Sequence, residues 1–591
     1  MKNYLPLSFK WIVVLLLATA FSTPSVYGAT FTASASGAWT SSATWAGGTA
    51  PSLNITGDQI IIPSGINVSL LNNLTINGAL AALAINGSLT SASDDTLTLG
   101  MGAITGAGSI NEGFIILNSG SVLAFTGSVT ASALINYATS LQVAANVNLK
   151  YALGLVGGLS VQTGGILTMD SASTIYVSGG TLSTGGGTLQ LTNSYNVNYI
   201  SGSISSGLEI SGSGLNNVTV NLTSTSAQLS LAGNLAVSGA LYLQQGVLNL
   251  NGNTLTINGT INSTASGSIW GSATSNIIVN GTGSVGTIML ASGWQTLNNL
   301  TINIGSSGTV TLGSSATVNG TLTLTNGTIN IGNYNLTVAS GGNLVGGSAS
   351  SYVVTSSTGI LTMTVANAGA AGMFQVGTVA NYAPVTITNN SSASGSFDVN
   401  AHPGVFANGS TGTDMSATQS VVNTSWDVAS SISSGANVNL EMFWNTNMQV
   451  NGFDNTQAYI SHYTGGSWNT HALAAATSHG GGSYSLALTG VTSFSPFAVF
   501  DKNTVTGITE IAAINHFEIY PNPASDNLFV RNISGGNVVN MDVIDINGKL
   551  VASYKLTDLN TSISLARLNA GTYFVKLYND NMNEVKRFSK M

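Results

Sequence analysis

Leu241-Tyr242-Leu243, Gly246-Val247-Leu248-Asn249-Leu250 and Thr254-Leu255-Thr256-Ile257 follow one another between Val237 and Ile257, with apolar pairs seven residues apart. Alternation of this kind puts Leu and Ile on one face of a strand and Thr or Asn on the other. Three such strands with their turns make a coil of roughly 20 residues, within the range of β-solenoid repeats. One coil cannot bury its own Leu row, so coils must stack and both ends need covers.

The same register returns downstream. Val237, Gly239, Leu241, Leu243, Gly246, Leu248, Leu250, Leu255 and Ile257 meet Val318, Gly320, Leu322, Leu324, Gly327, Ile329, Ile331, Leu336 and Val338 without a gap, at an offset of 81. Leu215-Asn216-Asn217-Val218-Thr219-Val220 recurs as Leu297-Asn298-Asn299-Leu300-Thr301-Ile302, and resembles Leu71-Asn72-Asn73-Leu74-Thr75-Ile76. These copies define modules at 215–296 and 297–378, each of about four coils, with Leu241 and Leu322 as equivalent inward residues. A β-sandwich also yields short alternating strands, but the sustained register favours a right-handed-type β-helix over 29–370. The expected fold class is all-β throughout.

Composition supports this. Of 591 residues only 5% are charged, 43% are hydrophobic and 71 are glycine, with no cysteine. An exported chain without disulfides must be held by packing and backbone pairing. The net charge of −8 and the absence of a basic patch argue against nucleic acid as a partner. Lys2, Lys10 and the apolar run Trp11–Phe21 read as a secretory signal peptide over 1–28, cut before Ala29. The run is too short for the ~20 residues of a membrane span. Residues 29–70, with Trp39 and Trp45, resemble the Gly- and Trp-marked segment that leads into the β-helices of Bacteroidetes surface proteins. The two tryptophans are expected to close the end of the apolar column, with carbohydrate stacking as the other use of such rings.

Candidate chemistry is sparse. From Ala29 to Phe397 the ionisable set is Asp58, Asp94, Asp95, Glu112, Asp170, Glu209 and Lys150. Polysaccharide lyases and hydrolases need converging carboxylates, and neighbours such as Asp94 and Asp95 point to opposite faces of a strand. No catalytic residue, metal site or cofactor is assigned. Thr321, Thr323 and Thr325 give a short outward Thr row of the type that ice-binding solenoids use, though Thr also suits any solvated strand. The row is not expected to keep register between coils. Beyond Ala370 longer turns and aromatics indicate a two-sheet β-sandwich over 371–501, expected to cap the solenoid. Its His462, His471 and His479 are potential metal ligands without an accompanying carboxylate, and no nucleophile motif accompanies its serines.

After a linker at 502–513 the charge pattern changes. Residues 29–510 hold two basic and thirteen acidic side chains, and 511–591 hold eight and seven. Three blocks stand out: Phe517-Glu518-Ile519-Tyr520-Pro521-Asn522-Pro523-Ala524, Val543-Ile544-Asp545-Ile546-Asn547-Gly548-Lys549 and Leu568-Asn569-Ala570-Gly571-Thr572-Tyr573, followed by Val585-Lys586-Arg587-Phe588. Together they resemble the type IX (Por) secretion C-terminal sorting domain over 514–591. The motif positions are Tyr520, Pro521, Asn522, Pro523, Asn547, Gly548, Lys549, Gly571, Tyr573 and Lys586. Asn547-Gly548 reads as a two-residue hairpin turn. The resemblance implies a small Ig-like sandwich, recognition by the type IX machinery of a Bacteroidetes bacterium, and removal of the domain after export. The passenger is then held by surface lipopolysaccharide or released. The expected function is a structural or adhesin-like surface protein with a glycan or cell-surface ligand. The rivals are a carbohydrate-binding or polysaccharide-degrading protein and, more remotely, an ice-binding solenoid.

Overall fold

The computed structural model describes residues 28–91, 95–120, 122–138, 140–305, 307–494, 496–504, 517–532, 539–579 and 582–591. The expected signal peptide, Asp94 and most of the 502–513 linker lie outside them. The chain forms two compact units, Met1–Val505 and Thr506–Met591.

Parallel pairing builds the first unit into a three-sided β-solenoid of about 15 turns. One face carries Ile60, Leu83 and Ile104 in succession. A second carries Val68, Leu89, Ile110, Val129, Val147 and Leu167. A third carries Leu134, Leu153, Ile175, Val197, Val218, Leu241 and Ile261. All of these side chains are buried. Each fully buried aliphatic contributes about 1.5–3 kcal/mol, and the rows of successive coils supply each other's cover. Val129 pairs with Val147 and Ile261 with Gly286, so beyond the N-terminal segment a coil takes 18 to 25 residues. Glycine marks a corner where coils approach too closely for a side chain. A Cβ on Gly108 would stand 2.0 Å from the Gly87 carbonyl oxygen, and one on Gly127 the same distance from Gly108.

The duplicated modules do not superimpose coil on coil. Leu241 continues through Ile261 and Gly286 to Val310, three turns along its own face. Leu322 lies two strands further, between Leu300 and Leu344 on the sheet that also holds Leu235, Leu255 and Ile277. Both leucines point inward at 0% exposure, but they occupy different faces. The apolar rule is the same on all three faces, so an offset of 81 preserves inside and outside while shifting the copy around the prism.

Both ends are closed. Trp39 and Trp45 are buried, in edge-to-face contact at 5.1 Å, with Trp39 Nε1 donating to Pro51 O and Trp45 Nε1 to Trp39 O. They are core, and no ring face remains for a sugar. At the other end Leu361–Val365 pairs parallel with Leu336–Val338 and antiparallel with Gly395–Pro403. A solenoid face thereby runs on as one sheet of an antiparallel sandwich. The opposing sheet holds Ala370–Phe374, Val385–Asn389, Val438–Asn445, Ser483–Val491 and Thr477–Gly480. Phe374, Phe397, Trp426, Trp444 and Phe497 fill the space between, in one core with the solenoid leucines. The sandwich covers the edge of that face, while the face holding Leu322 ends at Asn343–Gly346, which pairs on one side only.

The second unit is a small sandwich. A three-stranded sheet, Phe517–Tyr520, Asn527–Asn532 and Asn560–Ser564, faces a four-stranded one, Leu550–Leu556, Val539–Asp545, Gly571–Asn579 and Met582–Lys590. Phe517, Leu528, Met541, Val575 and Phe588 are among its separate core.

Candidate functional site

In the second unit the motif positions fall into two groups, and backbone pairing explains both. Tyr520 ends the first strand, and Asn522 then reaches the last one: its Nδ2 donates to Arg587 O and its Oδ1 accepts from Ser589 N. Ala524 N donates to Ser589 O and Met591 N to Ala524 O. The Pro521-Asn522-Pro523 segment thus fastens the start of the domain to its basic final strand, where Lys586 pairs with Glu584 at 3.0 Å. Tyr573 Oη donates to Asn569 O and its ring stacks on Phe588, while Gly571 opens the strand that pairs with that same final strand. Tyr520 and Phe529 stack at 5.6 Å on the exposed side, at 44% and 39% exposure.

The hairpin differs from the expected one. Gly548 N donates to Asp545 O and Asp545 N to Lys549 O, so the loop is Ile546-Asn547-Gly548, three residues long. The Asp545 carboxylate accepts from Asn547 N and Lys549 N, and only Gly548 takes a positive φ, +81°. A side-chain acceptor at the first position stabilises this longer loop over a two-residue one.

Among the described residues the solenoid acids form no group of three, though Asp95 lies near enough to Glu112 to act on it. Glu209 is fully buried and fully used: its carboxylate accepts from Tyr199 Oη, Gly207 N and Leu182 N, and its carbonyl from Tyr195 Oη. Burial first, and the neighbouring Glu209 second, push the Tyr199 hydroxyl well above its usual range. This network is a polar rivet inside an apolar column. Asp95 accepts from Ser91 Oγ at 2.9 Å.

Glu112 is the exception. It is 4% exposed, and neither carboxylate oxygen has a hydrogen-bond partner. Its strand neighbour is Ala131, which pairs in turn with Leu149. Burial, helped by Asp95, lifts its pKa from 4.5 to about 8. The unfolded chain ionises at the ordinary value, so it binds fewer protons than the folded chain between these limits. Stability is therefore complete below pH 4.5, falls as pH rises, and levels off above about 8. A shift of this size corresponds to a loss on the order of 3–5 kcal/mol. Glu112→Gln is expected to abolish the downward slope of the melting midpoint between pH 5 and 8. Parallel slopes for the two proteins would contradict the assignment.

The sandwich histidines do not converge. His462 stacks on Phe497 at 4.4 Å and shares a cleft of about 150 Å³ with His471. Burial, then His471, lowers the His462 pKa. His479 Nε2 lies 2.8 Å from Ser485 Oγ, and Ser485 donates to Glu441 Oε1. The acid therefore holds the serine and not the histidine, the reverse of a triad, and Ser485 is buried. Among the described residues no three of His, Cys, Asp and Glu gather as metal ligands.

What the solenoid does present is an ordered polar surface. On its second face Ser69, Thr90, Asn111, Thr130, Asn148, Thr168 and Gln190 stand in one file across seven coils. Asn67, Ser88, Ser109, Ser128 and Asn146 form a second file beside it. Thr90 Oγ1 donates to Asn67 Oδ1 and Thr168 Oγ1 to Gln190 Oε1. A groove of about 280 Å³ follows Thr130, Asn148, Thr168 and Gln190. Threonine register is kept further along on another face, in Thr296, Thr317, Thr337 and Thr362, while Thr321 and Thr323 meet Asn343 and Val345 on the next coil. That file is one residue wide. The column containing Thr323 and Thr301 is bounded by Val345 and Ile278.

Comparison with known proteins adds one match. Residues 518–591 fit the family model of a secretion system C-terminal sorting domain. No curated protein and no solved structure matches the chain. The chain carries a type IX sorting domain behind a β-helical passenger, and such domains mark proteins secreted and attached at the cell surface.

Proposed function

We propose that the passenger is a non-enzymatic adhesive or structural element, delivered through the type IX machinery after a signal peptide has taken it across the inner membrane. The observation that carries this reading is the pair of uncharged hydroxyl and amide files repeated coil after coil at the strand spacing of about 4.8 Å. Such a surface offers many neutral donors and acceptors in fixed positions. It suits broad, weak, repeated contact with a glycan or another surface component, and no single residue dominates. The solenoid carboxylates support the same reading. Glu209 is committed to the interior and Glu112 is sealed beneath the surface, so neither is offered to a substrate in the pairing that glycoside cleavage needs. Surface lipopolysaccharide is the proposed anchor once the sorting domain has been removed.

The test is a glycan array run beside a lyase and hydrolase panel on the purified chain. Binding without release of reducing or unsaturated ends is expected. Turnover of any glycan would replace this reading with an enzymatic one.

A further inference from the structure

Two of the eight tryptophans stand out on the solenoid surface. Trp270 and Trp294, one coil apart, stack face to face with ring centres 4.6 Å apart and planes within 9°. Trp39, Trp45, Trp426 and Trp444 are buried, whereas Trp294 is 47% exposed. The main chain is anchored at both residues. Trp270 O accepts from Leu250 N, Trp294 O from Gly271 N, and Trp294 N donates to Ala291 O. Stacking on Trp270 holds the Trp294 ring in place while about half of it stays open to solvent.

Its surroundings say what would cover it. Trp270 is in register with Asn249, Asn249 with Ser230, and Ser230 with Ser205, so the platform ends a file of hydroxyls and an amide. Asn249 Nδ2 donates to Gln228 Oε1, which orients the amide. No Asp, Glu, Lys, Arg or His occurs between Glu209 and Asp398. A protein partner needs a broad apolar core, and this patch is one indole edged by polar groups. An indole face beside fixed amides matches a sugar ring, whose C–H face stacks while its hydroxyls bond outward.

We propose that Trp294 and Trp270, with Asn249 and Gln228, form a binding subsite for a neutral polysaccharide, the chain continuing along the Asn249–Ser230–Ser205 file. The subsite rests on the adhesive reading and gives it a ligand class. Preorganised rings reduce the ordering cost of binding, and the lack of charge disfavours uronate or sulfated chains over neutral ones.

Affinity electrophoresis of the full chain against cellulose derivatives, xylan, mannan and laminarin, with alginate and heparin as charged probes, tests it. At least one neutral polysaccharide should retard the protein and quench its tryptophan fluorescence. Trp294→Ala should weaken that retardation at least tenfold with an unchanged melting midpoint, and Trp294→Phe should recover most of it. Tyr151→Ala, on another exposed aromatic, should bind as wild type. The proposal is overturned if only the charged probes bind, if no polysaccharide binds, or if Trp294→Ala binds like wild type. It is equally overturned if Trp294→Ala abolishes self-association without affecting sugar binding. Failure of the subsite in a chain that still binds glycans leaves the adhesive reading standing, whereas glycan turnover removes that reading by itself.

Discussion

Leu322→Asp is expected to unfold the C-terminal coils, whereas Thr323→Asp leaves them standing. Leu322 is 0% exposed between Leu300 and Leu344, in a column with no basic residue to pair a carboxylate. The substitution forfeits the burial of a leucine and places an unpaired charge in an apolar interior, a combined cost above about 5 kcal/mol. Coils above and below share the column, so the loss propagates to neighbours that depend on it for cover. Thr323 projects to solvent from the next position on the same strand, and its change should stay within about 1 kcal/mol. Thermal melts of both variants, with hydrogen exchange over residues 296–346, provide the comparison. Equal destabilisation would mean that the strand is turned the other way.

The second large effect concerns location. A chain ending at Val505 is expected to fold and yet be retained within the cell envelope, while the full chain reaches the surface. The two units have separate cores: Phe517, Met541, Val575 and Phe588 belong to that of the second, and the solenoid and its sandwich share that of the first. A unit with its own core is expected to fold without the other. Residues 518–591 are what the secretion machinery reads. Cell fractionation, surface proteolysis and mass spectrometry of both termini would follow the outcome. Surface display of the shortened chain, or a mature product still ending at Met591, would refute the sorting role. A point variant refines the test: Asn522→Ala removes both bonds to the last strand, and should reduce display while the passenger's own melting is unchanged.

Much of this architecture is legible in the sequence because one local rule repeats. Leu241, Leu248 and Leu255 announce inward positions by alternation alone, and the structure buries each of them. The sorting domain is legible for a related reason: its motif blocks are short, contiguous and in fixed order. Three features escape such reading. The face occupied by Leu322 depends on how many residues every preceding turn consumes, and coils of 18 to 25 residues blur that count. The Trp270–Trp294 stack joins residues a full coil apart, invisible to any window shorter than a turn. The Ile546-Asn547-Gly548 loop depends on the Asp545 side chain more than on the Asn-Gly pair itself. For Glu112 the pattern was present: it follows Ile110 by two positions and so points inward. Its acidity hid that, since a lone carboxylate is expected in water.

The equivalence of the three faces has an evolutionary consequence. Because the interior accepts the same residues on every side, gain or loss of a strand-and-turn unit need not disturb packing. Gain of a whole coil would carry the terminal sandwich outward by one strand spacing, about 4.8 Å, without turning it. Gain of a single strand unit would instead swing it by a third of a revolution. Recombination between sequence-similar repeats offers both kinds of change, and the offset of 81 residues combines them: three whole turns and two further strands. Reach and aim of whatever the sandwich presents could thus be varied independently, by a mutational route that leaves the core chemistry untouched.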